Sequence, residues 1–340
     1  MQDEKRKNKL EWQDQIATPD RLARLFDEQA IPDSAWQPAQ IVAGLIPTKD
    51  DWLRFIDILL VSTGTIFLLA GILFFFAFNW DDLSRMYRFG ITQGAVIIAV
   101  IAAFAFNMDK FAGRLALASS AILLGIALAV VGQEYQTGAD SYRLFLIWLL
   151  MITGLVLISR WNIMYLLWMI LLNVTIGFYW QQVIFDNWVI FNLTLLILNA
   201  SFVFLWEIIR LRTQWAFMMS RWFLYLVMFI ALGHATILMS DFIFDGSLVG
   251  SLSVLQPLAY LSLIGLTVFF YMNVEKDILM IALSALSVLV IAVAIMVRFV
   301  TEANIDPIFS FFLIGIGTIA LTAGLATVLR QLNQRWEQSS

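Results

Sequence analysis

From about residue 55 the chain alternates long apolar runs with short polar breaks. Ten runs lie near 55–79, 89–106, 115–132, 144–159, 161–179, 187–206, 222–239, 254–272, 278–297 and 308–329. Each is long enough, or nearly so, to cross a hydrocarbon core of about 30 Å, which takes roughly 20 helical residues. The fourth is the shortest and joins the fifth through Arg160-Trp161-Asn162 alone. No run alternates with the period of two of a membrane barrel strand. In lipid the backbone must satisfy its own hydrogen bonds, so the runs predict helices. The fold class is all-α: a polytopic transmembrane helical bundle of about ten spans over residues 51–330. A short helical cytoplasmic segment (1–50) precedes it, and a cytoplasmic tail (331–340) follows.

The segment before the runs has its own pattern. Thr18-Pro19-Asp20 is a helix start, with a cap residue, proline in the first turn and an acid near the positive end of the dipole. Leu22, Leu25, Phe26 and Ala30 then share one helical face. Pro32-Asp33 ends that helix. A second short helix is predicted from near Pro38, with Ile41, Val42 and Leu45 on one face. One reading is a hairpin lying against the membrane or the bundle; the other is a partner-binding module.

Composition narrows the classes. Of 340 residues, 61% are hydrophobic and 14% charged, and the mean hydropathy is +0.83. A soluble domain is nearer half apolar and a quarter charged, so lipid must be the solvent for most of this chain, and the lipid bilayer is its first partner. A net charge of −4 gives no basic footprint for nucleic acid. With no cysteine and a single histidine, disulfides, thiolate nucleophiles, sulfur-ligated metals and multi-histidine metal sites are excluded. No metal or cofactor is predicted. The charged stretch Met1–Lys9 leads into no apolar segment before about residue 55, so the first span is expected to act as its own insertion signal.

The basic residues orient the bundle. With the N-terminus inside, 17 Lys and Arg fall on inner segments and 4 (Arg85, Arg88, Arg143 and Arg298) on outer loops. This positive-inside bias predicts a multi-pass protein with both termini cytoplasmic. Trp52, Trp161, Trp206 and Trp222 then sit at inner ends, and Trp80, Trp180 and Trp188 at outer ends, where amphipathic rings prefer to be. Small residues share a face in the third run (Ala118, Ala121, Gly125, Ala129, Gly132) and in the tenth (Gly317, Ala320, Gly324, Thr327). Such faces let helices approach closely in lipid, so these two helices are expected to be central.

Candidate chemistry gathers at two polar clusters, Asn79-Trp80-Asp81-Asp82 and Gly132-Gln133-Glu134-Tyr135-Gln136-Thr137-Gly138-Ala139-Asp140. Each follows a run that heads outward, so both emerge on one face, near Arg85, Arg88 and Arg143. Nine acids against four arginines leave that face acidic. Three uses fit: a structural network of ion pairs, a hard-cation site built from carboxylate oxygens, or two carboxylates dividing acid and base roles. The ligand-binding set is Asn79, Trp80, Asp81, Asp82, Gln133, Glu134, Tyr135 and Asp140.

A helix-rich N-terminus, a span ending Ala-Phe-Asn-Trp-Asp (77–81), and a third span running into Gly-Gln-Glu-Tyr-Gln-Thr-Gly-Ala-Asp (132–140) with Trp148 beyond resemble the bacterial predicted-membrane-protein family catalogued as domain of unknown function 2157. The likeness covers roughly residues 15–180. It implies a bacterial inner-membrane protein and carries no activity. It also implies that Asn79, Trp80, Asp81, Gln133 and Tyr135 belong to the family's pattern.

Inside the runs, polar groups are few. Asp57 lies about a turn inside the first. His234 sits outward of the middle of the seventh, where an imidazole held by a backbone carbonyl or an amide competes with a role in proton coupling or a lipid contact. Asn173, Asn192 and Asn199 can supply interhelical hydrogen bonds. No phosphate loop, nucleophile elbow or HExxH is present. Three functions remain: a transporter with an outward-facing polar site, a non-catalytic scaffold or subunit with a membrane-protein partner, and a membrane-embedded enzyme acting on a lipid-linked substrate.

Overall fold

The computed structural model describes residues 19–78, 82–135, 140–184, 187–245 and 253–339, in which the chain forms twelve α-helices and no strand. The first two are short: α1 (Pro19–Asp27) and α2 (Asp33–Val42). They form a hairpin held by the rings of Phe26 and Trp36, 4.4 Å apart. α2 begins at Asp33 with Pro32 as its N-cap, not near Pro38. Asp33 stabilises the first turn, and Pro38 is accommodated inside the helix at the loss of one backbone bond. Ile41, Val42 and Leu45 are exposed.

The other ten helices are each long and apolar enough to cross a membrane, and they follow the order of the ten apolar runs. They are α3 (Lys49–Phe78), α4 (Arg85–Ala105), α5 (Phe111–Glu134), α6 (Ser141–Ser159), α7 (Asn162–Tyr179), α8 (Trp188–Thr213), α9 (Trp222–Asp245), α10 (Leu255–Asn273), α11 (Ile278–Glu302) and α12 (Pro307–Ser339). The protein is a multi-pass membrane protein. Several helices outrun their apolar runs, because a helix continues past the hydrocarbon edge while its polar residues reach water or one another. α7 finishes in a π-turn, Trp180–Ile184. Left-handed residues end α6 at Arg160 and α8 at Gln214, and Asn187 starts α8 with its side chain accepting from the Ile190 amide.

Contacts between connections show that successive spans alternate in direction. At one end, Arg85 and Arg88 meet Glu134, the Tyr142 amide donates to Gln182, and Arg298 donates to the Ile243 carbonyl. At the other, Phe111 packs on Trp161, Asn162 donates to the Ser220 carbonyl, and Arg210 and Arg221 share Glu275. These are called below the Glu134 end and the Arg221 end.

Packing divides the bundle in two. One cluster joins α5, α6 and α7 through Ala121, Leu149, Ile152, Val156 and Met164. The larger one joins α7 to α11 around Val203, Phe223, Val227, Ala231 and Tyr271. α7 contributes to both. Lipid is as apolar as these side chains, so the clusters hold by close fit and hydrogen bonds rather than by escape from water. The small face of α5 does the work the sequence assigns it. Gly125 lies against the Trp148 ring, whose Nε1 donates to the Ala121 carbonyl at 2.8 Å. Trp168 Nε1 donates to Thr153, and Asn173 and Asn199 exchange amide hydrogen bonds of 3.1 and 2.7 Å. Hydroxyls such as Thr153 and Thr175 bond the carbonyl four residues back, which hides them from lipid.

α12 is not central, contrary to its small face. None of its described side chains is buried. Gly317 meets the flexible Met296 side chain, while Gly315 and Gly324 face open space. Glycine and alanine are common in spans whatever they pack against, and here α11 is the neighbour on one side only.

Candidate functional site

At the Glu134 end, α5 carries Glu134 in its last turn and α4 carries Arg85 and Arg88 in its first. The short connection at 106–110 folds these helices back to back, which brings the three side chains together. Arg85 Nε donates to Glu134 Oε2 at 2.9 Å. Arg88 donates to Oε1 of the same carboxylate. The Arg85 guanidinium also lies over the Tyr135 ring, 5.3 Å from its centre, and Phe89 stacks on that ring. Glu134 is thus enclosed by two cations, while the Arg85 side chain remains 61% exposed.

The remaining sequence-predicted residues divide as follows. Asn79, Trp80 and Asp81 lie outside the described residues, as do residues 136–139. Asp82 is exposed in the turn before α4. Asp140 caps the start of α6 and pairs with Arg143 at 3.8 Å, both exposed. Gln133 is exposed beside Glu134 but points to a different face of α5. That face forms one wall of a groove of about 840 Å³ between α3, α5 and α6, lined by Leu73, Phe76, Gly125, Ala129, Gln133 and Trp148, among others. Gln133 is its polar end. So Glu134 and Tyr135 come together with Arg85 and Arg88, Gln133 lies at the end of the groove on another face of α5, and Asp140 stands apart with Arg143.

His234 Nδ1 donates a hydrogen bond of 2.9 Å to Asn192 Oδ1. This is the amide partnership that a lone imidazole in a span calls for.

A second charged cluster, at the Arg221 end, was not foreseen. Glu207 of α8 is fully buried. It takes a 2.7 Å bond from Arg210 Nε, a longer 3.5 Å contact from Arg221 and a hydroxyl bond from Tyr271. Arg210 also reaches Glu275. Arg221 reaches Glu275 at 2.8 Å and Asp277 at 2.9 Å. Asp277 accepts from Tyr225 as well and caps α11 through the Leu279 and Met280 amides. Burial by itself would push the Glu275 carboxyl up; hydrogen bonds from Arg210 and Arg221 outweigh this and hold it below the usual carboxylate range. The cluster ties α8, α9, α10 and α11 into one unit. Among the described residues no group of three His, Cys, Asp or Glu side chains is arranged to hold a metal ion.

No curated protein and no solved structure matches the chain. Residues 31–165, which hold the α5 groove and the Glu134–Arg85–Arg88 cluster, match the model of the family described as "Predicted membrane protein (DUF2157)".

Proposed function

We propose that the protein is transporter-like and handles a phosphate-bearing amphiphile, a phospholipid or a lipid-linked solute, at the face where the Glu134 cluster lies. The observation that carries this reading is the groove between α3, α5 and α6, walled by apolar side chains and ending at Gln133, one residue before the Glu134 that pairs with Arg85. An acyl or prenyl chain suits the apolar walls. A phosphate suits the Gln133 amide at the groove's end, and the exposed Arg85 guanidinium at the same end of the bundle adds a cation of the kind that recognises phosphate oxygens. The balance of basic residues supports an orientation with this face outside and both termini cytoplasmic, and the reading takes the membrane to be a bacterial inner one, with this face periplasmic.

The test is movement of a fluorescent phospholipid between leaflets of proteoliposomes. The wild type should accelerate it. Ala129→Trp, which fills the groove, and Gln133→Leu, which removes its polar end, should bring it to the protein-free rate. Movement by Ala129→Trp at the wild-type rate would contradict the reading.

A scaffold role has one observation in its favour. In α3, Phe76 is the one buried side chain, and α12 has none among those described, so two whole helices stand ready for other proteins. Chemical crosslinking in intact membranes should then yield a heteromeric product through α3 or α12; a monomer alone would count against it.

A further inference from the structure

Away from that groove, the second half of the bundle has a groove of its own, of about 780 Å³, between α8, α9 and α11. Trp188, Phe229, Leu232 and Leu286 make its walls apolar. Two of its hydroxyls are already used: Thr236 donates to the Leu232 carbonyl and bonds Ser287 at 2.7 Å, and Ser287 donates to Tyr260; Ser240 is a third, neutral, lining hydroxyl. One lining group is different. Asp241 sits one turn before the end of α9, about 4–5 Å along the axis from Phe244. Among the described residues it takes a single side-chain hydrogen bond, from Gln256 Nε2 to Oδ2 at 2.8 Å. A carboxylate has room for about four such bonds. Among the described residues no lysine or arginine pairs with it, and the nearby Arg298 is engaged by Glu302 and the Ile243 carbonyl.

A carboxylate at the edge of a hydrocarbon groove calls for a cation that brings its own N–H donors. The groove walls call for an acyl chain. The depth of Asp241, near the end of the span, is that of a lipid headgroup. We propose that this groove is a binding site for a phospholipid whose headgroup ends in a primary ammonium, with the ammonium on Asp241 and one acyl chain along α9 and α11. The ammonium supplies both the missing charge and the missing donors. A headgroup ending in hydroxyls lacks the charge, and a quaternary ammonium lacks the donors. A free amine would satisfy Asp241 but leave the apolar walls to bulk lipid, so the occupant is a lipid. This site is independent of the α5 groove, and the two proposals fail separately.

The experiment uses the full chain in detergent, incubated with phosphatidylethanolamine, phosphatidylglycerol and phosphatidylcholine of identical acyl chains in equal amounts, and read by native mass spectrometry. Wild type should retain phosphatidylethanolamine about ten-fold over the other two, the scale of one charge-assisted hydrogen-bonded contact. Asp241→Asn should bind the three alike. Gly233→Leu is the second variant. Gly233 lines the groove, and a Cβ there meets nothing within 4 Å, so the protein should fold with the leucine side chain taking up groove space and displacing the acyl chain. Its retained lipid should fall for all headgroups together. A diazirine on the acyl chain of phosphatidylethanolamine should label peptides spanning 229–244 and 283–290. Equal retention of the three lipids by wild type, unchanged preference in Asp241→Asn, or a groove closed by a second copy of the chain, seen as a dimer with intermolecular crosslinks through 229–244, would each overturn the proposal.

Discussion

Arg221 gives the sharpest energetic prediction. It is the one residue that touches all three carboxylates at its end of the bundle: Glu275 at 2.8 Å, Asp277 at 2.9 Å and Glu207 at 3.5 Å. Arg210 reaches only Glu207 and Glu275. Arg221→Gln therefore leaves three carboxylates facing one guanidinium, and Asp277 loses its cation outright. Leaving a largely buried charge without its partner costs about 3–5 kcal/mol. Glu207→Gln is the control. It leaves two carboxylates for two arginines, so neither cation is stranded. Its cost is that of one charge-assisted hydrogen bond, about 1.5–3 kcal/mol. The ranking thus runs opposite to burial, since Glu207 is fully buried and Arg221 is not. Equilibrium unfolding in mixed micelles of rising SDS fraction, followed by loss of helix ellipticity, measures both. Arg221→Gln should be the more damaging, by about 1–2 kcal/mol at the middle of the two ranges. An Arg221→Gln protein as stable as Glu207→Gln would refute the idea that this residue holds the network together.

Three further outcomes follow from the same geometry. The Glu275 carboxyl is held below the usual value of 4.5, so its stabilising contribution is complete above about pH 4.5 and is lost as pH falls through its folded value; the SDS midpoint should drop on acidification below pH 4.5, and Glu275→Gln should flatten that limb. A Cβ on Gly113 would run into the carbonyl of Asn107, which is backbone in a left-handed turn, so Gly113→Ala should cost about 1–3 kcal/mol in the same assay, whereas Gly132→Ala, with open space around it, should cost little. A reporter active only outside the cytoplasm should be on when fused between Tyr135 and Asp140 and off at residue 340; the reverse pattern would invert the frame.

The sequence made some of this legible and hid the rest for identifiable reasons. Lipid forces a span to be long, apolar and helical, so ten spans could be read from ten runs. The lone imidazole and the asparagines were equally readable, because a polar group in a span must find a partner: His234 found Asn192, and Asn173 found Asn199. Glu207 and Asp241 were obscured by an edge effect. Both lie just past the end of an apolar run, so Asp241 counts as an outer-loop acid and Glu207 goes unweighed, yet α8 and α9 continue past them and place both inside helices. The Arg221 cluster was further hidden because its members, Glu207, Arg210, Arg221, Glu275 and Asp277, come from helix ends up to 70 residues apart. A count of inner basic residues registers Arg210 and Arg221 as orientation signals and leaves their partners unsought. The available signal was Glu207 beside Arg210 at one-turn spacing, at the end of an apolar run. The opposite fates of the small faces on α5 and α12 are a matter of tertiary context: Trp148 fills the notch at Gly125, and nothing fills the one at Gly324.

The most direct test of the account is photolabelling in native membranes with a phosphatidylglycerol carrying a diazirine near its acyl terminus, with labelled peptides sequenced. If the α3–α5–α6 groove holds a phosphate-bearing amphiphile, label should concentrate on residues around Phe76, Ala129 and Trp148 and should vanish in Ala129→Trp. Label spread evenly over the lipid-facing helices, or unchanged in Ala129→Trp, would contradict it.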